Sequence, residues 1–224
     1  TPIECELVAK LYEVEPHRHL KNAAATKEKY RQLLIGEKIQ GLLSSHHAKS
    51  NLTEPLDSAL LLADGKLTLG ELLSLRLPEL KELFLSCCET GLGNAILTDD
   101  IFTLAAGFLC AGAINVISSL WSVNDLATAI LSYYYHKNRL DGLNRPQALW
   151  QAQMQLKNLT EEEALASLED AEAVLDEFKE GSQEYEYWEK IVDFWDVVYK
   201  LAFGGKKPFD RPCYWSGFLC QGLR

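Results

Sequence analysis

No apolar run in this chain of 224 residues comes near the roughly 20 residues needed to span a bilayer. No basic segment leading into an apolar stretch opens it, so nothing argues for secretion. Positive charge is scarce: 22 Lys and Arg stand against 32 Asp and Glu, a formal net charge of −10. With a pI near 5.0, that balance argues against a nucleic-acid or anionic-membrane surface. Methionine occurs once and not at the start; the chain begins at Thr1, and we expect a piece of a longer polypeptide. There is no C-x-x-C pair, and Cys213 and Cys220 lie too far apart, with no histidine nearby, for a zinc knuckle. We find no internal repeat and no low-complexity linker.

The six cysteines, at positions 5, 87, 88, 110, 213 and 220, lie mostly in apolar segments. This suits reduced, buried thiols in a cytoplasmic protein; a strained disulfide between vicinal Cys87 and Cys88 under oxidation stays open. The length fits one medium domain with a sizeable core. Leu7, Val8 and Leu11 give a helical stripe over Glu4 to Val14. A second helix is expected from Thr26, with Tyr30, Leu33 and Leu34 facing inward. Ile39 to Ser44 reads as a buried strand, and Ala59 to Leu62 with Lys66 to Thr68 flank a hairpin signal at Ala63-Asp64-Gly65. A short helix follows from Leu69 to Leu75, then a continuously apolar strand from Leu83 to Cys87, as where both sheet faces are covered.

Further on, Thr98 is expected to cap a helix through Cys110, and Ile114 to Leu120 forms the next strand. Asn124 caps a helix to about Leu140, and Pro146 opens another to Lys157. Between about 158 and 207 the composition changes. Thr160-Glu161-Glu162-Glu163 is a capping box, Gly181-Ser182 a break, and Tyr187, Trp188, Ile191, Phe194, Trp195, Val198 and Leu201 an aromatic stripe, together a helical hairpin. Tyr214 to Leu219 should be the final strand, at the sheet edge. Alternating strands and helices of these lengths indicate an α/β layered sheet with mostly parallel strands.

The most informative stretch is Leu83 to Gly93, where an apolar strand meets Cys87-Cys88 and stops at the polar turn Glu89-Thr90-Gly91. Upstream, another apolar strand ends in Ser44-Ser45-His46-His47. In a parallel sheet the carboxyl ends of the strands share one edge, where such folds place their sites. A cysteine and a histidine there are the parts of a thiolate nucleophile and its base. The plainer alternative is a buried cysteine pair and a chance histidine pair. Neighbours on a strand face opposite ways, so only one member of each pair can face a site. The same parity weighs against a metal centre built from His46, His47, Cys87 and Cys88, since each pair offers one ligand easily.

The blocks Pro55-Leu56-Asp57-Ser58 to Gly65, Ser86-Cys87-Cys88-Glu89-Thr90-Gly91, Ala105-Ala106-Gly107-Phe108-Leu109, Ala111-Gly112-Ala113, Ser119-Leu120-Trp121-Ser122-Val123 and Tyr214-Trp215-Ser216-Gly217-Phe218 occur in this order. They resemble the CHAT family, caspase-like cysteine peptidases of clan CD related to separases, and look most like its cyanobacterial members. The resemblance runs from Glu4 to Gly222, interrupted between about Asn158 and Lys207, which makes the hairpin an insertion. It implies a caspase-like three-layer sandwich with a mostly parallel central sheet. By the family pattern the nucleophile is Cys88, with Cys87 replacing the usual alanine, and the base is His47. The backbone N–H groups of Ala48 and Cys88 would form the oxyanion hole, although the family usually carries glycine where this chain has Ala48. A dyad is expected to suffice, so Glu54, Asp57 and Asp64 receive no catalytic role.

In caspase-like folds the loops after these strands line the substrate pocket, which points to Glu89, Trp121, Ser122, Asn124 and Asp125, with Asp99 and Asp100 nearby. For Asp99, Asp100, Asn124 and Asp125 the alternative is a helix-start role, and for Trp121 a core role. The implied activity is cysteine endopeptidase cleavage of a protein substrate, without cofactor, metal, nucleic acid or membrane. An upstream repeat or sensor module is the expected neighbour. The alternative is a weak or inactive CHAT-like module acting in protein–protein interaction.

Overall fold

The structure, a computed structural model, describes residues 2–51, 53–87, 89–90 and 103–222. Its strands are β1 (Gly41–Ser45), β2 (His47–Lys49), β3 (Ala59–Leu62), β4 (Gly65–Thr68), β5 (Glu82–Ser86), β6 (Glu89–Thr90), β7 (Asn115–Ser119) and β8 (Phe218–Gly222). Its helices are α1 (Pro2–Leu11), α2 (Lys27–Arg31), α3 (Leu69–Leu73), α4 (Leu104–Ala111), α5 (Asp125–Leu140), α6 (Arg145–Asn158), α7 (Glu161–Leu175), α8 (Gln183–Ala202) and the single turn α9 (Pro212–Trp215).

The central sheet has the order β1-β5-β7-β8. Its first three strands are parallel, and β8 closes the edge antiparallel to β7. Strand alternation sends β5 and β7 into two separate cores. Phe84 and Ile117 enter one, with α5, α6 and the α7–α8 hairpin. Leu83, Leu85 and Val116 enter the other, with Tyr30, Leu34 and side chains of α3 and α4. Helices therefore cover both faces of a mostly parallel sheet, a three-layer α/β sandwich. A smaller sheet, β4-β3-β2-β6, adjoins the second core through Ala48, Leu60 and Leu67.

Helix starts follow from side-chain chemistry. Thr26, Thr68, Thr103, Asn124, Asn144, Thr160 and Ser182 each accept a hydrogen bond from the amide three residues on. Such caps contribute about 1 kcal/mol apiece. The hairpin is docked, with Ile191, Trp195 and Val198 buried in the first core. The Tyr187 hydroxyl donates to the Glu6 carbonyl at 2.7 Å.

Three expectations need correction. The final strand is Phe218–Gly222 rather than Tyr214–Leu219, because Pro212 sets the first position of a helical turn that holds Tyr214 and Trp215. The cap of α4 is Thr103, whose hydroxyl oxygen accepts from the Ala106 amide at 3.1 Å; Thr98 lies outside the described residues. His47 does not end the strand that precedes it. It opens β2, in the other sheet.

At the opposite edge from the strand ends, the Glu82 carboxylate takes the Arg139 and Arg145 guanidinium groups, each at 2.9 Å. The Tyr135 hydroxyl donates to the same carboxylate at 2.6 Å. His136 lies beside this cluster, ringed by Tyr12, Phe84 and Tyr135, with Nδ1 3.3 Å from the Tyr12 hydroxyl. Burial holds its imidazole down at a pKa of about 4, against an ordinary 6.5. The unfolded chain binds this proton between those values and the folded chain does not, so stability is present above pH 6.5 and declines as pH falls toward 4. The loss is about 3 kcal/mol over that window. His136→Phe should remove this share of the slope, read as denaturation midpoints from pH 7 to 4. An unchanged slope would place the titration elsewhere.

Candidate functional site

β1 and β5 run side by side to the pair Ser45–Ser86 and then both leave the central sheet. They resume as β2 and β6, still parallel and at an unchanged offset, with Ala48 opposite Glu89 and Lys49 opposite Thr90. The His46 amide donates to the Ser86 carbonyl at 3.3 Å across the crossing. On one strand His46 makes the crossing and His47 opens β2; on the other, Cys87 follows β5. Cys88 itself lies outside the described residues.

Parity separates the two histidines. His46 is half-buried, edge-on to Tyr30 with ring centroids 5.6 Å apart. The Tyr30 hydroxyl shares a 2.8 Å hydrogen bond with the Ser44 hydroxyl. Burial lowers the His46 pKa, which keeps that ring neutral. His47 is exposed. Ala48 is fully buried, paired with Leu60 on one side and Glu89 on the other. Cys87 is buried in the second core, and its carbonyl accepts from the Ser119 hydroxyl at 3.4 Å. That bond ties the end of β7 to the end of β5.

The end of β7 leads into the remaining candidates. Trp121 is partly exposed, its indole N–H donating to the Cys213 carbonyl at 3.3 Å. The ring lies against Gly217, where a Cβ would come within 2.9 Å of Cε2. Ser122 is exposed. The Asn124 side chain accepts from the Ala127 amide at 3.0 Å, and Asp125 occupies the first turn of α5, so both do helix-start work. Glu89 stands in β6, while Asp99 and Asp100 lie outside the described residues. Asp64 is engaged elsewhere, accepting from the Lys27 amide at 2.7 Å. Among the described residues no three His, Cys, Asp or Glu side chains gather as a metal centre would require. Nor is any helix there long and apolar enough to cross a membrane.

Sequence reasoning missed one acid at this edge. Glu4 is fully buried, and the Ser45 hydroxyl donates to its Oε2 at 2.9 Å. Its position on the same helical stripe as Leu7, Val8 and Leu11 was the available signal.

The family model of the CHAT domain matches residues 1–223. The chain belongs to the CHAT domain family. No curated protein matches it. CHAT domains are caspase-like, peptidase-related modules, and the mostly parallel sheet with helices on both faces agrees with that kinship.

In this CHAT domain, Gly217 leaves room for the Trp121 ring. Gly217→Ala should cost about 1–3 kcal/mol through overpacking. In a Trp121→Ala background the same substitution should cost little, because the clash has gone. Thermal melts of the four combinations measure the coupling; additive effects would mean that the ring does not meet position 217.

Proposed function

We propose that this CHAT domain is a cysteine endopeptidase acting through Cys88 and His47. The observation that carries the proposal is the unchanged pairing offset on both sides of the strand crossing. His47 lies between Ser45 and Ala48, whose partners Ser86 and Glu89 flank Cys88 in the chain. Of the two histidines, His47 is the exposed one, while His46 packs against Tyr30.

In the proposed reaction the Cys88 thiolate attacks the scissile carbonyl and His47 protonates the departing amine. The backbone amides of Ala48 and Cys88 face the developing oxyanion, and water then releases the acyl-enzyme. Trp121 and Ser122, at the end of β7, would border the bound peptide, and Glu89 of β6 is a further candidate. Asn124 and Asp125 are weaker candidates, since the helix start already uses them. The partners we propose are a protein substrate and a repeat or sensor module elsewhere in the polypeptide, in a reducing, cytoplasmic setting.

An acyloxymethyl ketone probe should label Cys88, located by peptide mass spectrometry. Cys88→Ala and His47→Ala should each abolish peptide turnover, a loss of about a thousandfold or more. Cys87→Ala should retain most of it, and His46→Ala should suffer only through packing. An inactive Cys87→Ala beside an active Cys88→Ala would shift the assignment by one residue. A folded domain whose thiols stay silent toward the probe would favour a CHAT-like module acting in protein–protein interaction.

A further inference from the structure

Where the α7–α8 hairpin meets α1 and α5, the four helices leave a cavity of about 440 Å³ between them. That volume lies in the range of small-molecule sites, and spaces between packed helices are a usual place for them. Each hairpin helix lends the cavity one stripe. On α7, Ser167, Ala171 and Val174 fall at helical spacing, and on α8 so do Trp188, Ile191 and Trp195. Leu7, Ala171, Ile191 and Trp195 are buried, so the inner wall is apolar.

The mouth is cationic. Lys10 of α1 and Lys137 of α5 are both exposed and both line the cavity. The Lys10 ammonium stands 5.6 Å over the Trp188 ring, and the Lys137 ammonium 5.9 Å over the Tyr133 ring. Those rings belong to the lining as well. Among the described residues neither ammonium forms an ion pair with a carboxylate. A ring face attracts an ammonium without accepting its ordinary hydrogen bonds, so these donors stay available to an anion. Asp170 is the one acid in the lining. Two positive charges thus face one negative charge, in a chain whose net charge is −10.

We infer that this cavity binds a small organic anion with a flat apolar body. Lys10 and Lys137 take its charge, and the Trp188 and Tyr133 rings take its body. A space walled by four helices suits a compact molecule better than an extended chain. The site is independent of the Cys–His edge. Its ligand touches α1 and α5 on one side and the hairpin on the other, so binding stabilises the docked hairpin by mass action.

Two fluorescent probes of nearly one shape test this: anilinonaphthalene sulfonate, an anion, and phenylnaphthylamine, which lacks the sulfonate. The sulfonate should bind the folded domain at one site, about tenfold or more tighter than the uncharged probe. Lys10→Met combined with Lys137→Met should weaken the sulfonate about tenfold and leave the uncharged probe within about twofold, since Met keeps the apolar stem. Asp170→Asn should tighten the sulfonate by about twofold. Ser167 is half-buried, with its hydroxyl on the Glu163 carbonyl of its own helix at 3.0 Å. Ser167→Trp fills the cavity and should weaken both probes by about tenfold or more. Should that variant fail to fold, Val174→Trp fills the cavity from the same stripe.

A sulfonate affinity indifferent to both lysines would overturn the anion site. Wild-type affinity for both probes in a folded cavity-filled variant would place them elsewhere and overturn the cavity. Naphthoate should displace the sulfonate. Displacement by decanoate or by an acidic peptide, with naphthoate inert, would overturn the compact flat ligand.

Discussion

Parallel pairing between β1 and β5 sets everything at the candidate edge, because a strand that slips by one residue turns every side chain to the other face. From Gly41 opposite Glu82 to Lys49 opposite Thr90 the offset never changes, although the two strands pass from one sheet to the other on the way. A single slip would expose Leu83 and Leu85 to the core built for Phe84. It would also bring His46 outward and turn His47 in. The face that each histidine presents is therefore a consequence of core packing several residues earlier.

β5 is fastened at both ends by polar groups. At its start, Glu82 meets Arg139, Arg145 and the Tyr135 hydroxyl. Burial pushes this carboxyl up, but the hydrogen bonds from Arg139 and Tyr135 outweigh it and hold the acid below its usual range. Slipping β5 would strand these charges, and an uncompensated buried charge costs about 3–5 kcal/mol. At its end, the Ser86 carbonyl accepts from the His46 amide and the Cys87 carbonyl from the Ser119 hydroxyl. Between the anchors run three fully or nearly fully buried apolar residues, Leu83, Phe84 and Leu85. The apolar run supplies the driving force, and the polar ends select the register.

Much of this was legible in the sequence where the signal is local. Helix starts at Thr26, Asn124 and Thr160, the helix break at Gly181-Ser182, the hairpin around Asp64-Gly65 and the apolar strand before Cys87 follow from caps, turn residues and periodicity, and all appear in the structure. What failed depended on long-range partners. Tyr214 to Leu219 alternates large and small residues as a strand would, yet Pro212 and the Trp215 indole bond to the Asp210 carbonyl hold its first half in a turn. The run from Ser44 to His47 carries no local mark of a change of sheet. The antiparallel pairing of His47, Ala48 and Lys49 with Leu61, Leu60 and Ala59 separates β2 from β1. Glu4 was read only as the first residue of a helical stripe, because the serine that donates to it lies far along the chain.

The alanine after His47 bears on whether the edge is intact. If the glycine usual in the family served a positive φ, alanine here would be strained. Among the described residues the non-glycine positions with positive φ are Glu13, Asn22 and Lys38. Ala48 is not one of them. It sits in extended backbone inside β2, with its methyl fully buried beside Leu60 and Leu67 in the second core. The side chain is accommodated by packing, and the backbone asks for no special freedom. Departure from the family's glycine is thus no sign of a collapsed strand end, and the proposed chemistry turns on how the crossing orients its histidine.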